Sequence, residues 1–290
     1  MKAYLDCYPC FFIQALKTAR LVTSDEKIIL QILKDVSLYL SQASFDVTPS
    51  EIGLGVYRII SRRTGVEDPY KEVKERCIQQ ALSLYPELKK LIESSEDRLM
   101  TAVRLSIAGN VIDFGTGSSF DLKQELETIF SQDFAMNHHG EFRRALKKAP
   151  HIIYIADNAG ETVFDRLLIE EINKPVIYVV REKPIINDAT REDARLSGLG
   201  KVSEIMSSGC DAPGNIKKFC SDEFLKAYDS AGLVISKGQG NYEALSDEER
   251  PIFFLLKAKC QVVARDLGVE EGSIILAEAR QMRKNKSFAE

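Results

Sequence analysis

Residues 151–188 constrain this chain more than any other stretch: HIIYIADNAGETVFDRLLIEEINKPVIYVVREKPIIND. An apolar run over 152–156 stops abruptly at Asp157-Asn158-Ala159-Gly160-Glu161. Val163, Phe164, Leu167, Leu168 and Ile172 then recur at helical spacing. A second apolar run, over 175–180, ends in Arg181-Glu182-Lys183-Pro184 and then Asn187-Asp188. The crossover is long enough to join parallel strands, so the stretch reads as a β-loop-α-β unit. Ligands of open parallel sheets sit beyond the carboxyl ends of the strands. Both acidic clusters follow a strand, which places them at one sheet edge, on neighbouring strands.

The pattern continues after this unit. Short strands are expected at 202–206, 233–236, 252–256 and 273–276, with helices at 222–228 and 260–267. Ser236-Lys237-Gly238-Gln239-Gly240-Asn241 runs from a strand end into a glycine-rich loop. Alternating short strands and helices argue for an α/β fold with a doubly wound, mostly parallel sheet. Before residue 151 the pattern is helical. Thr23 to Glu26 reads as a capping box ahead of Ile28, Ile29, Ile32, Leu33, Val36 and Leu40. Thr48-Pro49-Ser50-Glu51 repeats the signal, with proline at the first helical position. Further helices are expected from Asp68-Pro69, after a break at 94–97, from Asp121 and over 141–148. No strand is expected ahead of residue 151. The expected organisation is an N-terminal all-helical domain over 1–150, packed on an α/β metal- and phosphate-binding domain over 151–290. The basic stretch 280–286 reads as a solvated helix end.

Composition narrows the partners. The 290 residues are 44% hydrophobic and 28% charged, ample for a core that needs no disulfide or structural metal. A net charge of -4 offers nothing to nucleic acid or an anionic membrane. No apolar run approaches a membrane span, and Asp6 and Pro9 interrupt any leader-like core. A cytoplasmic protein with reduced cysteines is expected. Cys7-Tyr8-Pro9-Cys10 is half of a zinc motif, with Cys77 as a candidate third ligand. Three histidines, at 138, 139 and 151, under-supply a structural zinc site, so packed or loosely redox-active thiols are the expectation.

Asp157 and Asn158 offer oxygen donors at a strand end, as a hard cation requires, and Asp188 can add a third. The structural alternative is that Asp157 caps the next helix and Asn158 turns the chain. Gly160 lies at a helix start, where free N–H groups favour an anion. Lys237, beside Gly238, can neutralise a phosphoryl oxygen as a point charge. Arg181 and Lys183 read as solvated loop residues. Asn110 and Asp113 sit three apart in the otherwise apolar Ala108-Gly109-Asn110-Val111-Ile112-Asp113, so on a helix they share a face. That face either closes the site from the helical half or is a buried pair satisfied by backbone. No GxGxxG, GxxxxGK[ST] or GxSxG is present, which disfavours dinucleotide sites, P-loops and serine hydrolases.

These motifs, in this order, resemble the damage-control phosphatase family, formerly a domain of unknown function. The resemblance covers most of the chain. It rests on Ala108 to Asp113, Asp157 to Glu161, Asn187-Asp188-Ala189-Thr190 and Ser236 to Asn241, and on Asp6-Cys7-Tyr8-Pro9-Cys10 of the microbial CxxC-bearing branch. It implies a helical domain on an α/β sandwich and a metal-dependent phosphatase acting on sugar phosphates or damaged phosphometabolites. It further implies metal ligands at Asp157, Asn158 and Asp188, and phosphate near Lys237, with Asn110, Asp113 and Glu161 in the pocket.

The expected reaction is hydrolysis of a phosphomonoester by a water activated by manganese, cobalt, nickel or magnesium. Asp157, Glu161 and Lys237 are the expected catalytic residues, with Glu161 orienting or deprotonating the water. Asn110, Asp113, Gly160, Lys237 and Gly238 are expected to bind the ester. An S-adenosylmethionine-dependent methyltransferase and a non-catalytic phosphometabolite sensor are the rival expectations. The oligomeric state is left open.

Overall fold

The computed structural model describes residues 1–109, 130–279 and Met282. Asn110, Asp113, the helix expected from Asp121 and, Met282 aside, the tail over 280–286 lie outside the described residues. The described strands are β1 (Phe134–Asn137), β2 (Ile152–Ile155), β3 (Val176–Val180), β4 (Glu204–Ser207), β5 (Leu233–Lys237), β6 (Ile252–Lys257) and β7 (Ile274–Glu278). They form one sheet in the order β1-β7-β6-β5-β2-β3-β4. Every neighbouring pair is parallel except β6 and β7. This is the expected mostly parallel α/β sheet.

Eleven α-helices are described: α1 (Cys7–Val22), α2 (Glu26–Gln42), α3 (Pro49–Thr64), α4 (Lys71–Ser94), α5 (Arg98–Ala108), α6 (His139–Lys148), α7 (Thr162–Ile172), α8 (Arg191–Leu196), α9 (Asp222–Ser230), α10 (Gln239–Leu245) and α11 (Gln261–Leu267). Strand alternation sends successive side chains to opposite faces. Ile153, Ile155, Val179, Val234 and Phe254 join a core with Phe11 of α1, Ile32 of α2 and Ile52 of α3. Ile152, Tyr154, Tyr178, Ile235 and Phe253 join a second core with Leu88 of α4, Val103 of α5 and Phe164 of α7. Both faces of the sheet are therefore covered, which is why the central strands read as unbroken apolar runs. All four β2 residues are fully buried, each aliphatic one contributing roughly 1.5–3 kcal/mol. The N-terminal helices divide between the faces, α1 to α3 on one and α4 and α5 on the other.

Some local expectations are corrected. The helical run expected over 1–150 is interrupted by β1, which pairs with β7 at the sheet edge. Four half-exposed residues, FAMN, are too short for periodicity to register. Helix α2 is capped by Asp25, whose side chain accepts from Lys27 N–H, not by Thr23. Thr48 caps α3 as expected, accepting from Glu51 N–H with Pro49 at the first position. Lys237 closes β5 and is not a loop residue, and α10 begins two residues later. No described helix is long and apolar enough to cross a membrane.

Candidate active site

The chain runs from β2 outward through β3 and β4, then returns to lay β5 against the other side of β2. That reversal opens a crevice between β2 and β5 beyond their carboxyl ends. Ile155 pairs with Ser236 on one side and Val179 on the other, so the residues following each strand converge. Asp157 and Gly238 meet there. Gly238 has φ +76, and a Cβ on it would lie 1.8 Å from Asp157 Oδ2. Only glycine both adopts that backbone and leaves the carboxylate its place.

The second acidic loop folds back onto the first. Ala159 N–H donates to Asn187 O and Ala189 N–H to Asp157 O, each at 2.8 Å, around an antiparallel bridge between Asn158 and Asp188. Ile186 makes the return with φ 47, a left-handed conformation that a β-branched residue rarely takes. Asp157, Asn158 and Asp188 thus line one cavity of about 520 Å³.

Each of the three is held from behind. Asn158 Nδ2 donates to Glu161 Oε1 at 2.6 Å and to Asp157 Oδ2 at 3.3 Å. Its side-chain oxygen accepts from Glu161 N–H in a capping box, so Asn158, not Asp157, is the cap. An amide oxygen has two lone pairs, so one remains for a cation. Asp188 Oδ2 accepts from Arg181 Nε at 2.7 Å. Burial pushes the Asp188 carboxyl up, and the adjacent Arg181 guanidinium opposes that rise. Arg181, expected to be solvated, is 1% exposed. Its Nη2 also donates to Asn241 Oδ1, while Asn241 Nδ2 donates to the carbonyls of Ala156 and Lys237. Asn241 therefore ties the ends of β2 and β5 to the Arg181–Asp188 pair.

Lys237 and Glu161 are fully buried, beneath the cavity instead of lining it. Lys237 Nζ donates to Ser106 O at 2.8 Å, Glu161 Oε2 at 2.7 Å and Asp165 Oδ1 at 2.7 Å. An ammonium has three hydrogens, so this lysine has none left for a phosphate. Burial works against its charge, but Asp165 and Glu161 hold it above the ordinary lysine value. Burial raises Glu161 to about 7, with Lys237 opposing. Asp165 also accepts from Ser106, Tyr154 and Tyr178, which completes a buried polar network behind Asn158. Gly160 is the middle residue of a 3₁₀ turn, Ala159–Glu161, and does not line the cavity; nor does Gly238.

Much of the remaining lining comes from helices. Cys7 and Cys10 of α1, Ser50 of α3, and Gln239 and Glu243 of α10 line the cavity, with Lys259 and Cys260 from the loop after β6. Among the described lining residues, Lys259 alone is cationic. Cys77 cannot complete a site with Cys7 and Cys10: it packs in the core on the other face of the sheet. Among the described residues no three His, Cys, Asp or Glu side chains cluster closely enough to hold a metal. A cation held here would therefore need the Asn158 oxygen beside the two carboxylates. Sequence reasoning missed Asp165, Asn241, Glu243 and Lys259. Asp165 had a signal, a charge at i+4 from Glu161 between Phe164 and Leu167 on an apolar face.

The chain matches the damage-control phosphatase ARMT1-like domain over residues 3–275. It is 37% identical over 278 residues to a protein named damage-control phosphatase from Archaeoglobus fulgidus, covering 93% of this chain and 96% of the relative. It is 35% identical to an uncharacterized protein of Methanocaldococcus jannaschii, covering 93% of each. The crystal structure of a DUF89 family protein from Pyrococcus horikoshii superposes with a TM-score of 0.90 at 34% identity, covering 96% of this chain and 99% of that one. The chain belongs to the damage-control phosphatase ARMT1-like family.

Proposed function

We propose that this protein hydrolyses phosphate monoesters in the cavity at the β2/β5 crevice, using a hard divalent cation. The observation that carries the reading is the convergence of Asp157, Asn158 and Asp188 on one wall, with Gly238 obligatory beside Asp157. The phosphatase name of the Archaeoglobus relative supports it. The donor chemistry fits manganese, cobalt, nickel or magnesium: two carboxylates and an amide oxygen, with positions left for water and phosphate. Such a cation supplies charge for the phosphoryl oxygens and makes a water more acidic.

The chain's own residues do the rest. Glu161 is a positioning residue: by accepting from Asn158 Nδ2 it fixes the orientation of the Asn158 amide. Arg181 holds Asp188 in the same way. Lys259 takes the phosphate-binding role expected of Lys237, because it is a cationic residue lining the cavity and the ammonium of Lys237 is consumed. Charge on the equatorial oxygens is the main demand of phosphoryl transfer, and a cation at the rim meets it. The substrates proposed are sugar phosphates and damaged phosphometabolites, in the cytoplasm.

The test is phosphate release from a panel of sugar and nucleotide phosphates after chelator treatment, with each metal added back singly. Release that appears only with metal supports the reading. No release with any metal, from folded and metal-bound protein, sinks it. Binding of S-adenosylmethionine by calorimetry would then favour the methyltransferase, and tight ester binding without turnover the sensor.

A further inference from the structure

Glu243 is a carboxyl that the site described above does not use. It is 9% exposed, on α10, and lines the same cavity as Asp157 and Asn158. Its hydrogen bonds can be assigned proton by proton. Lys259 N–H donates to Gln239 Oε1 at 3.1 Å, which fixes the Gln239 amide. Gln239 Nε2 therefore faces Glu243 Oε1, 3.1 Å away, and donates to it. Ser50 Oγ lies 3.1 Å from Glu243 Oε2 and 3.2 Å from Gly240 O. A hydroxyl has one hydrogen, and both of these neighbours are acceptors if Glu243 is ionised. A proton on Glu243 Oε2 resolves this: Ser50 donates to Gly240 O, and Ser50 Oγ holds the Oε2 proton only until an ester oxygen enters the cavity to take it.

We propose that Glu243 is the proton donor to the leaving oxygen of the phosphate ester, with Ser50 and Gln239 as its positioning residues. This rests on the phosphatase reading above. As the oxygen of water bonds to phosphorus, the bond from phosphorus to the ester oxygen breaks. That oxygen takes the proton of Glu243 Oε2 and leaves as an alcohol. One hydrogen of the water stays on phosphate, and the other returns through solvent to the Glu243 carboxylate. Burial pushes the carboxyl up to about 7, with the hydrogen bond that Gln239 donates opposing the rise. The titratable groups that act on it are Asp157, the Cys7 thiol of α1 and the amino group of Met1, which donates to the Glu243 carbonyl. A general acid with a value near neutrality is matched to its task.

The experiment compares two probes on the wild-type chain and Glu243→Gln, with manganese or magnesium. One is p-nitrophenyl phosphate, whose phenolate leaves without a proton; the other is glycerol phosphate, whose alkoxide does not. The amide of Glu243→Gln can still donate to Ser50 and accept from Gln239, and a thermal melt checks folding. The expected result is a loss on the alkyl ester about 100-fold larger than on the aryl ester, the lower end of general acid catalysis. Glu243→Asp, an acid one methylene shorter, should recover part of that difference and keep the fall in alkyl rate at basic pH. Equal losses on both esters, or none on either, overturn the acid role and leave the phosphatase reading standing. If Glu243→Gln does not fold, Glu243→Asp carries the test: equal losses on the two esters overturn the proposal. A wild-type chain that cleaves neither ester with any metal overturns both.

Discussion

Replacing Lys237 with methionine separates two roles that one lysine could play. In the structure Lys237 is fully buried, and its ammonium is divided among Ser106 O, Glu161 and Asp165 at 2.7–2.8 Å. Methionine fills much of the same volume but leaves two buried carboxylates without their cation. Breaking a buried pair by removing one partner costs roughly 3–5 kcal/mol, because the remaining charge is uncompensated. For a chain of this size that lowers Tm by about 10 °C. Urea unfolding of Lys237→Met beside the wild type measures it. Adding Glu161→Gln removes one of the stranded charges and should recover part of the loss, a coupling that a double-mutant cycle reads directly. A Lys237→Met chain as stable as the wild type, yet unable to bind inorganic phosphate, would refute the reasoning. Lys237 would then serve the ligand and not the network behind Asn158.

Gly238→Ala should cost about 1–2 kcal/mol in backbone strain and weaken manganese binding by displacing Asp157. Gly268→Ala is the control for calorimetry: φ is similarly +70 but nothing lies within 4 Å, so stability should fall and metal binding should not. Asp157→Ala and Asp188→Ala should each abolish metal-dependent phosphate release, and full activity in both would remove the site assignment. Glu243 keeps its proton in the folded chain up to about 7 but loses it near 4.5 when unfolded, so between those values the folded state binds more protons and stability falls as pH rises. That span corresponds to about 3 kcal/mol, so Glu243→Gln should lose less stability than the wild type between pH 5 and 8, as urea titrations at each pH would report.

Much of the fold was legible because its central strands are buried on both faces. Residues 152–155 and 176–180 are runs of Ile, Val and Tyr that no exposed strand would carry, and the helix between them has one apolar face. The convergence of Asp157, Asn158 and Asp188 was legible too, since residues directly after parallel strands have one place to go. Residues whose meaning depends on how the chain folds back on itself were not. Arg181 has the sequence context of a surface loop, and only the folding back of Asp188 makes it a buried ion pair. Lys237 sits beside glycines as a phosphate-binding lysine would, yet Asp165 of α7 and the end of α5 claim its ammonium. Glu243 becomes a cavity residue only because α3 brings Ser50 against α10.

The sequence by itself determined the mostly parallel sheet and the edge at which Asp157, Asn158 and Asp188 gather, because burial and strand alternation are local in the pattern of side chains. Tertiary structure alone decided which charges face the cavity and which are spent beneath it. Those assignments depend on burial and on hydrogen-bond partners, and for Lys237 and Glu243 these include Ser106 and Ser50, on helices more than fifty residues away.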